Sequence, residues 1–331
     1  MIRTPFTHTG SGRRLFLNSV LAALTSAVWV SLSSAQTPSQ SPAPDWQKAA
    51  GGKMAFDVAS ATRKTGAPPY PMGSNFPLGP GDVYVSNAGS FRATNLPLVL
   101  YIEFAYKLTE NQDQFLLSQL PKWAITDRFD IQGRAQGNPT KDQMRLMMQS
   151  LLADRFRLAV HYETRQVPVF ALIVDQPGRL GPLLQRHADE SPCPTTPQVP
   201  SPAPTAPPQF FDSRFPATCG GIVGMPPSAP GRVRTGARNV SMELIASSMG
   251  DGDGVDRPVL DKTGLTGMFD FAIEFTQQIR GSSSPRVVSQ RDLTGPTSIE
   301  AIKEQLGLRL EQQTGAIQFL VIDYVEEPPA N

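Results

Sequence analysis

Three carboxylates are the side chains whose types and spacing come closest to a catalytic arrangement. Asp130 and Asp270 each follow a Phe, and Glu274 lies shortly after the second Asp. Two carboxylates can share general acid and general base roles in hydrolysis. The structural alternative is that the Asp recurs because a supersecondary unit recurs, and the sequence favours it. Asp130, Asp270 and Glu274 therefore stay as functional candidates, and no residue is assigned as catalytic.

Signatures of metals and cofactors are weak. Asp251, Asp253 and Asp256 offer oxygen atoms that suit calcium, but they lack the loop of about twelve residues ending in Glu that an EF-hand requires. A tight Gly-Asp turn is the favoured interpretation. The three His residues show no zinc-hydrolase spacing. No phosphate loop, dinucleotide fingerprint or nucleophile elbow occurs. We predict no metal and no cofactor, and enzyme activity stays open with a lean towards none.

A repeat surrounds the two Asp residues. The stretch 265–275 aligns without a gap with 125–135, and the two share a Thr, a Phe and the Asp. Further on, 306–324 aligns without a gap with 156–174. Repeats of a supersecondary unit indicate a duplicated architecture. The sequence therefore predicts an α+β fold with two tandem copies of a sheet-plus-two-helices unit, β-β-α-β-α-β-β, joined by a Pro-rich linker.

Local signals place the elements of each copy. Asn95 and Asn239 precede apolar segments at helical spacing, which predicts that both residues are helix N-caps. A second helix is predicted over 141–155 and an equivalent one over 297–306. Each copy then ends in two predicted strands, with turns at 164–166 and 314–316.

The chain divides into five predicted segments. The Pro-rich stretches cannot form a packed core of their own, which predicts linkers there. The predicted segments are a signal peptide (1–35), a disordered tether (36–50), a first α+β unit (51–175), a Pro-rich linker with both Cys (176–228), and a second α+β unit (229–327) that contains a flexible insert (280–296).

The amino terminus predicts export. A basic head, an apolar run over 15–30 and small residues before a polar start are typical of a secretory signal peptide, with cleavage after Ala35. Arg13 and Arg14, followed by Phe and Leu, resemble a twin-arginine signal, and an ordinary secretion signal is the alternative. We predict a periplasmic or extracellular protein without a transmembrane span in the mature chain.

Charge and cysteine content narrow the classes of partner. Loss of residues 1–35 removes three Arg and no acid, which leaves 27 basic and 29 acidic side chains. That balance argues against nucleic-acid binding. Cys193 and Cys219 are an even pair in an exported chain, which predicts a structural disulfide, with free thiols or a redox pair as alternatives.

Several strings resemble a known family. The chain is similar to a soil-associated bacterial family of exported proteins that carries a domain of unknown function. The likeness implies a periplasmic location and no known activity. Fusion of some members to sensor-type membrane peptidases implies signalling or interaction. More distantly, the helix-then-strand halves resemble the short amino-terminal domain of secretins and TonB-dependent receptors. The strings that carry the family resemblance are 56–60, 91–95, 150–156, 261–270 and 304–308.

Duplication without a catalytic constellation predicts a non-catalytic periplasmic binding, interaction or sensory module. Its partner would be an envelope protein or a small ligand. One alternative is an envelope hydrolase with a site between the two units. Another is a structural envelope protein that uses its Pro-rich segments as spacers.

Overall fold

The computed structural model describes residues 40–64, 71–188, 214–217, 219–229, 231–249, 255–276 and 295–328. The predicted signal peptide, about half of the predicted linker and most of the predicted insert lie outside these residues. All the described residues belong to one unit, 38–331.

Strands and mostly short helices follow one another in mixed order along the chain. The strands are β1 (Gln40–Ser41), β2 (Val58–Arg63), β3 (Gly73–Ser74), β4 (Ser90–Leu96), β5 (Phe129–Arg134), β6 (Ala159–Val174), β7 (Leu184–Arg186), β8 (Val223–Met225), β9 (Arg232–Ser241), β10 (Val259–Asp261), β11 (Met268–Thr276) and β12 (Leu308–Tyr324). The helices are α1 (Asp45–Ala49), α2 (Leu98–Tyr106), α3 (Glu110–Gln119), α4 (Lys122–Thr126), α5 (Lys141–Arg155), α6 (Met242–Ser247) and α7 (Ser298–Ala301), which a π-helical turn continues over Ile302–Leu306. The class is therefore α+β, as predicted.

Two four-stranded antiparallel sheets have matching strand orders. One runs β2-β5-β4-β3 and the other β7-β11-β9-β8. Their registers also match, because Arg63 pairs with Phe129 in the first sheet and Arg186 pairs with Phe269 in the second. The first sheet and the elements packed on it are called the first half below, and the second sheet with its elements the second half.

A long two-stranded ribbon joins the halves. β6 and β12 pair antiparallel along almost their whole length, while β1 and β10 pair with the other edge of β6. In the alignment of 156–174 with 306–324, Gln166 corresponds to Ala316. These two residues also pair with each other in the ribbon. The middle of the ribbon therefore has a local two-fold relation.

Each end of the ribbon belongs to a different core. Successive side chains of a strand point to opposite faces, so alternate residues can pack on the same core. The first core contains Tyr162 from β6 and Leu320 from β12. The second core contains Phe170 and Leu172 from β6 together with Leu308 from β12. Each half therefore depends on both long strands.

The predicted turns at 164–166 and 314–316 are wrong. Both segments lie inside continuous strands, and each pairs with the other strand of the ribbon. Gly315 is part of this packing, because a Cβ there would lie 2.7 Å from Cδ1 of Leu260. The strands stay extended because each must reach from one core to the other, and local sequence does not carry that requirement.

The predicted caps at Asn95 and Asn239 are wrong as well. α2 begins after Pro97, and α6 begins after Ser241, whose side chain accepts a hydrogen bond from the Leu244 amide. The two Asn residues instead adopt left-handed backbone conformations, with φ of 57° and 54°. Asn tolerates that region better than most residues. The predicted helix 141–155 is confirmed, with Thr140 as its N-cap.

Two segments predicted to lack structure contain elements of the fold. Residues 40–50 of the predicted disordered tether contain β1 and α1, and Ser41 pairs with Tyr162 of β6. The range 176–228, predicted as a linker, contains β7 and β8 of the second sheet. β1 and β7 pair with strands distant in sequence, so composition alone did not reveal them, whereas β8 pairs with the nearby β9.

Both strands of the ribbon contribute to both cores. We therefore predict that the first half folds only when β12, near the end of the chain, is present. A mature chain that stops at Gly307 keeps β2, β4, β5, α2 and α5 but loses β12. It is expected not to protect the amides of β5 from hydrogen exchange.

In the full chain, Leu320→Ala is expected to cost about 3 kcal/mol of unfolding free energy, because it empties a buried site in the first core.

A mature chain ending at Pro328 is the control, since it keeps all of β12. Full protection of β5 in the chain that stops at Gly307 would show that the first half folds without the ribbon.

Candidate functional site

A groove of about 800 Å³ is lined by residues from both halves. The first half contributes α1, the loop 80–83 and the connection from α2 to α3. The second half contributes the end of β9, α6 and β10, while the ribbon contributes residues 316–318 of its middle. We call this cavity the central groove.

Two buried cations of α5 hold the loop that borders the groove. Lys141 Nζ donates hydrogen bonds to the carbonyl oxygens of Gly79, at 2.8 Å, and Gly81. Arg145, whose side chain is fully buried, donates to the carbonyls of Pro80 and Gly81 at 2.8 and 3.0 Å. Burial lowers the pKa of Lys141 to about 7, and the nearby Arg145 charge contributes to the decrease. The loop is thus fixed by direct contacts to its backbone.

Side-chain amides of α3 fix the opposite border. Asn111 Nδ2 donates to the Val259 carbonyl and Asn111 Oδ1 accepts from the Val259 amide, both at 3.0 Å. Gln112 Nε2 donates to the Gln318 carbonyl at 2.8 Å. These bonds satisfy backbone groups at strand edges and tie the first half to β10 and β12.

Lys107 is the cation at the groove, and it is engaged within the protein. Its Nζ lies 2.7 Å from a carboxylate oxygen of Asp82 and 5.9 Å from the ring centre of Trp46. Burial alone would raise the pKa of Asp82, but hydrogen bonds from Lys107 and Arg145 outweigh it and hold that pKa below its usual value. The position of Lys107 is therefore set by a carboxylate and an aromatic ring together.

A smaller cavity of about 250 Å³ adjoins the groove and shares the loop 80–81, the residues 108–109 and α6 with it. We call it the side cavity. Its lining includes Glu103 of α2 and two acids of α3, Glu110 and Asp113. Burial raises the pKa of Glu103 to about 7, and the nearby Asp113 charge adds to the increase. A carboxyl group that titrates near neutral pH in a cavity is a functional candidate.

The two repeated Asp residues perform the same structural task. Asp130 Oδ1 accepts from the Asn95 backbone amide at 2.8 Å, and Asp270 Oδ1 accepts from the Asn239 amide at 3.0 Å. These bonds hold the two left-handed Asn residues described above. Each Asp also pairs with a basic residue beside the neighbouring edge strand, which is Lys64 in the first half.

In the second half that basic residue is His187. Its Nδ1 lies 2.6 Å from Asp270 Oδ1, and both side chains are almost fully buried. A buried His–Asp pair resembles part of a catalytic triad. The Lys64–Asp130 pair occupies the equivalent place in the first half, at 3.0 Å. A pairing that keeps its position while its basic residue changes from Lys to His indicates a structural role.

Glu274 holds a loop next to β11. Its carboxylate accepts from the backbone amide of Ser228 at 3.0 Å and from the Ser228 hydroxyl, and it lies 3.3 Å from Arg232 Nη1. Partial burial alone would raise the pKa of Glu274, but these partners lower it below its usual value. Glu274 is not among the residues that line the central groove or the side cavity.

The remaining sequence candidates are not brought together. Asp251 and Asp253 lie outside the described residues, and Asp256 pairs with the adjacent Arg257 at 2.9 Å. Cys193 also lies outside them, so its disulfide with Cys219 stays a prediction. Within the part of the chain that the structure describes, no group of three or more His, Cys, Asp or Glu could hold a metal ion.

No helix among the described residues is long and apolar enough to span a membrane.

Sequence reasoning did not identify the residues that matter most at the groove. Trp46 fell in the predicted tether, and Glu103 and Lys107 fell in or beside a predicted core helix. The available signals were an aromatic residue within a Pro-rich segment and an acid within an apolar helix, here Glu103 among buried neighbours of α2. Only the fold brings these residues to one place.

The raised pKa of Glu103 predicts how stability depends on pH. The usual value is 4.5, so between about pH 4.5 and pH 7 the folded state keeps a proton that the unfolded state releases. Stability is therefore expected to fall as the pH rises through this range. Glu103→Gln removes the ionisation and is expected to add about 2 kcal/mol to the unfolding free energy at pH 8 and almost nothing at pH 4.

Urea unfolding of both proteins across this pH range measures the difference, and Glu243→Gln, at an exposed residue of α6, is the control. A Glu103→Gln curve parallel to that of the wild type at every pH would contradict the prediction.

Comparison with known proteins identifies one relationship. A family described as a protein of unknown function, DUF3738, matches residues 99–325, which is most of the chain. No curated protein and no solved structure matches the chain.

Proposed function

The chain belongs to the DUF3738 family of proteins of unknown function, and we propose that it is an exported, non-catalytic binding module whose partner occupies the central groove. The observation that carries the proposal is the groove itself. Its volume of about 800 Å³ lies within the usual range for ligand sites. Its borders are held by the Lys141, Arg145, Asn111 and Gln112 bonds, so the site is formed before a partner arrives.

The lining suits recognition. Trp46 is partly exposed at the groove, and Tyr106 and Tyr162 also line it. Tyr162 accepts a hydrogen bond from Gln47 Nε2 at 2.8 Å, which orients its hydroxyl. Aromatic side chains contribute large contact area at a low entropy cost, and they are enriched at binding hot spots.

The partners of the candidate carboxylates favour binding over catalysis. Asp130 and Asp270 accept bonds from backbone amides, and Glu274 holds Ser228. The His187–Asp270 pair is the observation that favours the alternative, a hydrolase with a site between the halves. It is the weaker proposal, because the pair is buried and has a structural equivalent in Lys64–Asp130.

Export and duplication belong to the same proposal. The Arg13–Arg14 head and the apolar run support a cleaved signal and a periplasmic or extracellular location. The matching sheet orders and the two equivalent Asp–Asn bonds support an ancestral duplication of one α+β unit. The soil association and the likeness to the secretin domain stay predictions of the sequence.

Filling the groove tests the proposal. Ala316 is exposed and lines the groove, whereas Gln312 is an exposed residue of the same strand that does not line it. Ala316→Trp is expected to abolish capture of an envelope partner or ligand by the mature protein, and Gln312→Trp is expected to leave capture unchanged. Thermal unfolding of both variants checks that the fold is kept.

Mass spectrometry of material retained from envelope extracts provides the readout. Equal recovery of the same partner by the wild type and Ala316→Trp would place binding outside the groove.

A further inference from the structure

The linings of the two cavities contain more acidic than basic side chains. The central groove is lined by four acids, and Lys107 is the basic residue in its described lining. The side cavity adds Glu103, Glu110 and Asp113, with no basic residue in its described lining. The four acids of the groove are Asp45, Asp82, Glu243 and Asp261.

The lysine does not offset this excess. Lys107 Nζ is held by Asp82 at 2.7 Å, and Asp82 also pairs with Arg145 at 2.8 Å. Asp261 Oδ1 accepts from the amide and hydroxyl of Thr263, which are neutral donors. Asp45 lies 3.9 Å from the exposed Lys48 of its own helix. The negative field of Glu243 and Asp261 is therefore the one that faces whatever enters the groove.

We propose that the partner of the central groove is a basic, extended polypeptide segment whose Lys or Arg side chains lie along Trp46 and reach into the side cavity. This inference rests on the proposed function and specifies the chemistry of the partner. Charge complementarity selects a cationic partner and disfavours an acidic one.

Trp46 provides a surface for a cation. Lys107 already lies 5.9 Å from its ring centre, so the ring accepts an ammonium group within the protein. The partly exposed indole leaves further surface at the groove. A guanidinium group packs well on such a ring.

The side cavity suits the long stem of a basic side chain. Leu78, Ile222 and Leu244 line it beside the acids, so methylene groups can pack on apolar surface while the charged end reaches a carboxylate. Glu103 gains most, because a cation beside it would offset the burial that now favours its protonated form.

The size of the site favours a polypeptide over a small amine. The groove and the side cavity, of about 800 and 250 Å³, adjoin each other and share part of their lining. Together they reach the upper end of the range for a single small-molecule site, which is roughly 1,000 Å³.

Fluorescence of Trp46 tests the inference. The mature chain has Trp46 and Trp123, so Trp123→Phe leaves one reporter at the groove. Three peptides of equal length are titrated into this protein, identical except that the same alternating positions hold Lys, Gln or Glu. The Lys peptide is expected to bind about tenfold more tightly than the Gln peptide, and added salt should reduce the preference. The Glu peptide is expected not to bind.

The same titration tests where the Lys peptide binds and how its affinity depends on pH. Ala316→Phe should lose the Lys peptide and Gln312→Phe should keep it, and neither substitution adds a second tryptophan to the Trp46 signal. Glu103 faces Glu110 and Asp113 from α3, and no charged group of the loop 78–81 or of α6 lines this cavity. Affinity for the Lys peptide should therefore rise between pH 6 and pH 8, and Glu103→Gln should remove that rise.

Equal binding of the Lys and Gln peptides would overturn the inference but leave the groove as a binding site. Spermidine binding as tightly as the Lys peptide would overturn the assignment to a polypeptide. Failure of all three peptides would also overturn the inference, while partner capture by the wild type and Ala316→Trp separately decides the proposed function.

Discussion

The pairing of β6 with β12 is the interaction on which the rest of the structure depends. Each strand begins in one core and ends in the other, so the ribbon completes both halves at once. Tyr162 and Leu320 close the first core, and Phe170 and Leu308 close the second. Because the same strands serve both cores, the halves are held at the spacing that leaves the central groove over the middle of the ribbon.

The chemistry of the groove follows from this arrangement. Its borders are backbone segments held by buried donors, namely Lys141 and Arg145 on one side and Asn111 and Gln112 on the other. Fixed borders lower the entropy cost of binding. The carboxylates that first suggested catalysis are used elsewhere, to hold left-handed Asn residues and a neighbouring loop. The acids that line the cavities are the groups on which the proposed cationic partner depends.

Local signals in the sequence predicted the elements that depend on local interactions. The helix α5 was found because its apolar spacing lies within one segment. The continuous strand through 164–166 was missed, since its extension depends on partners about 150 residues away. β7 and α1 were missed for the same reason, because both are stabilised by residues distant in sequence.

At the site too, features that depend on local sequence were predicted and features that depend on distant residues were not. Asp130 and Asp270 were recognised as equivalent from their strings, and their structural interpretation rested on repetition. Their actual partners, the amides of Asn95 and Asn239, depend on a left-handed conformation that sequence did not reveal. Trp46 and Glu103 reach the cavities only through the fold, so no local motif marked them.

Native-state hydrogen exchange of the mature protein in increasing denaturant tests the central claim most directly. If the ribbon makes the halves one cooperative unit, the slowest amides of β5 and β11 will open with the same free energy and the same denaturant dependence. Opening of one strand at a free energy several kcal/mol below the other would show that the halves unfold separately, and would contradict a groove whose geometry is set by the ribbon.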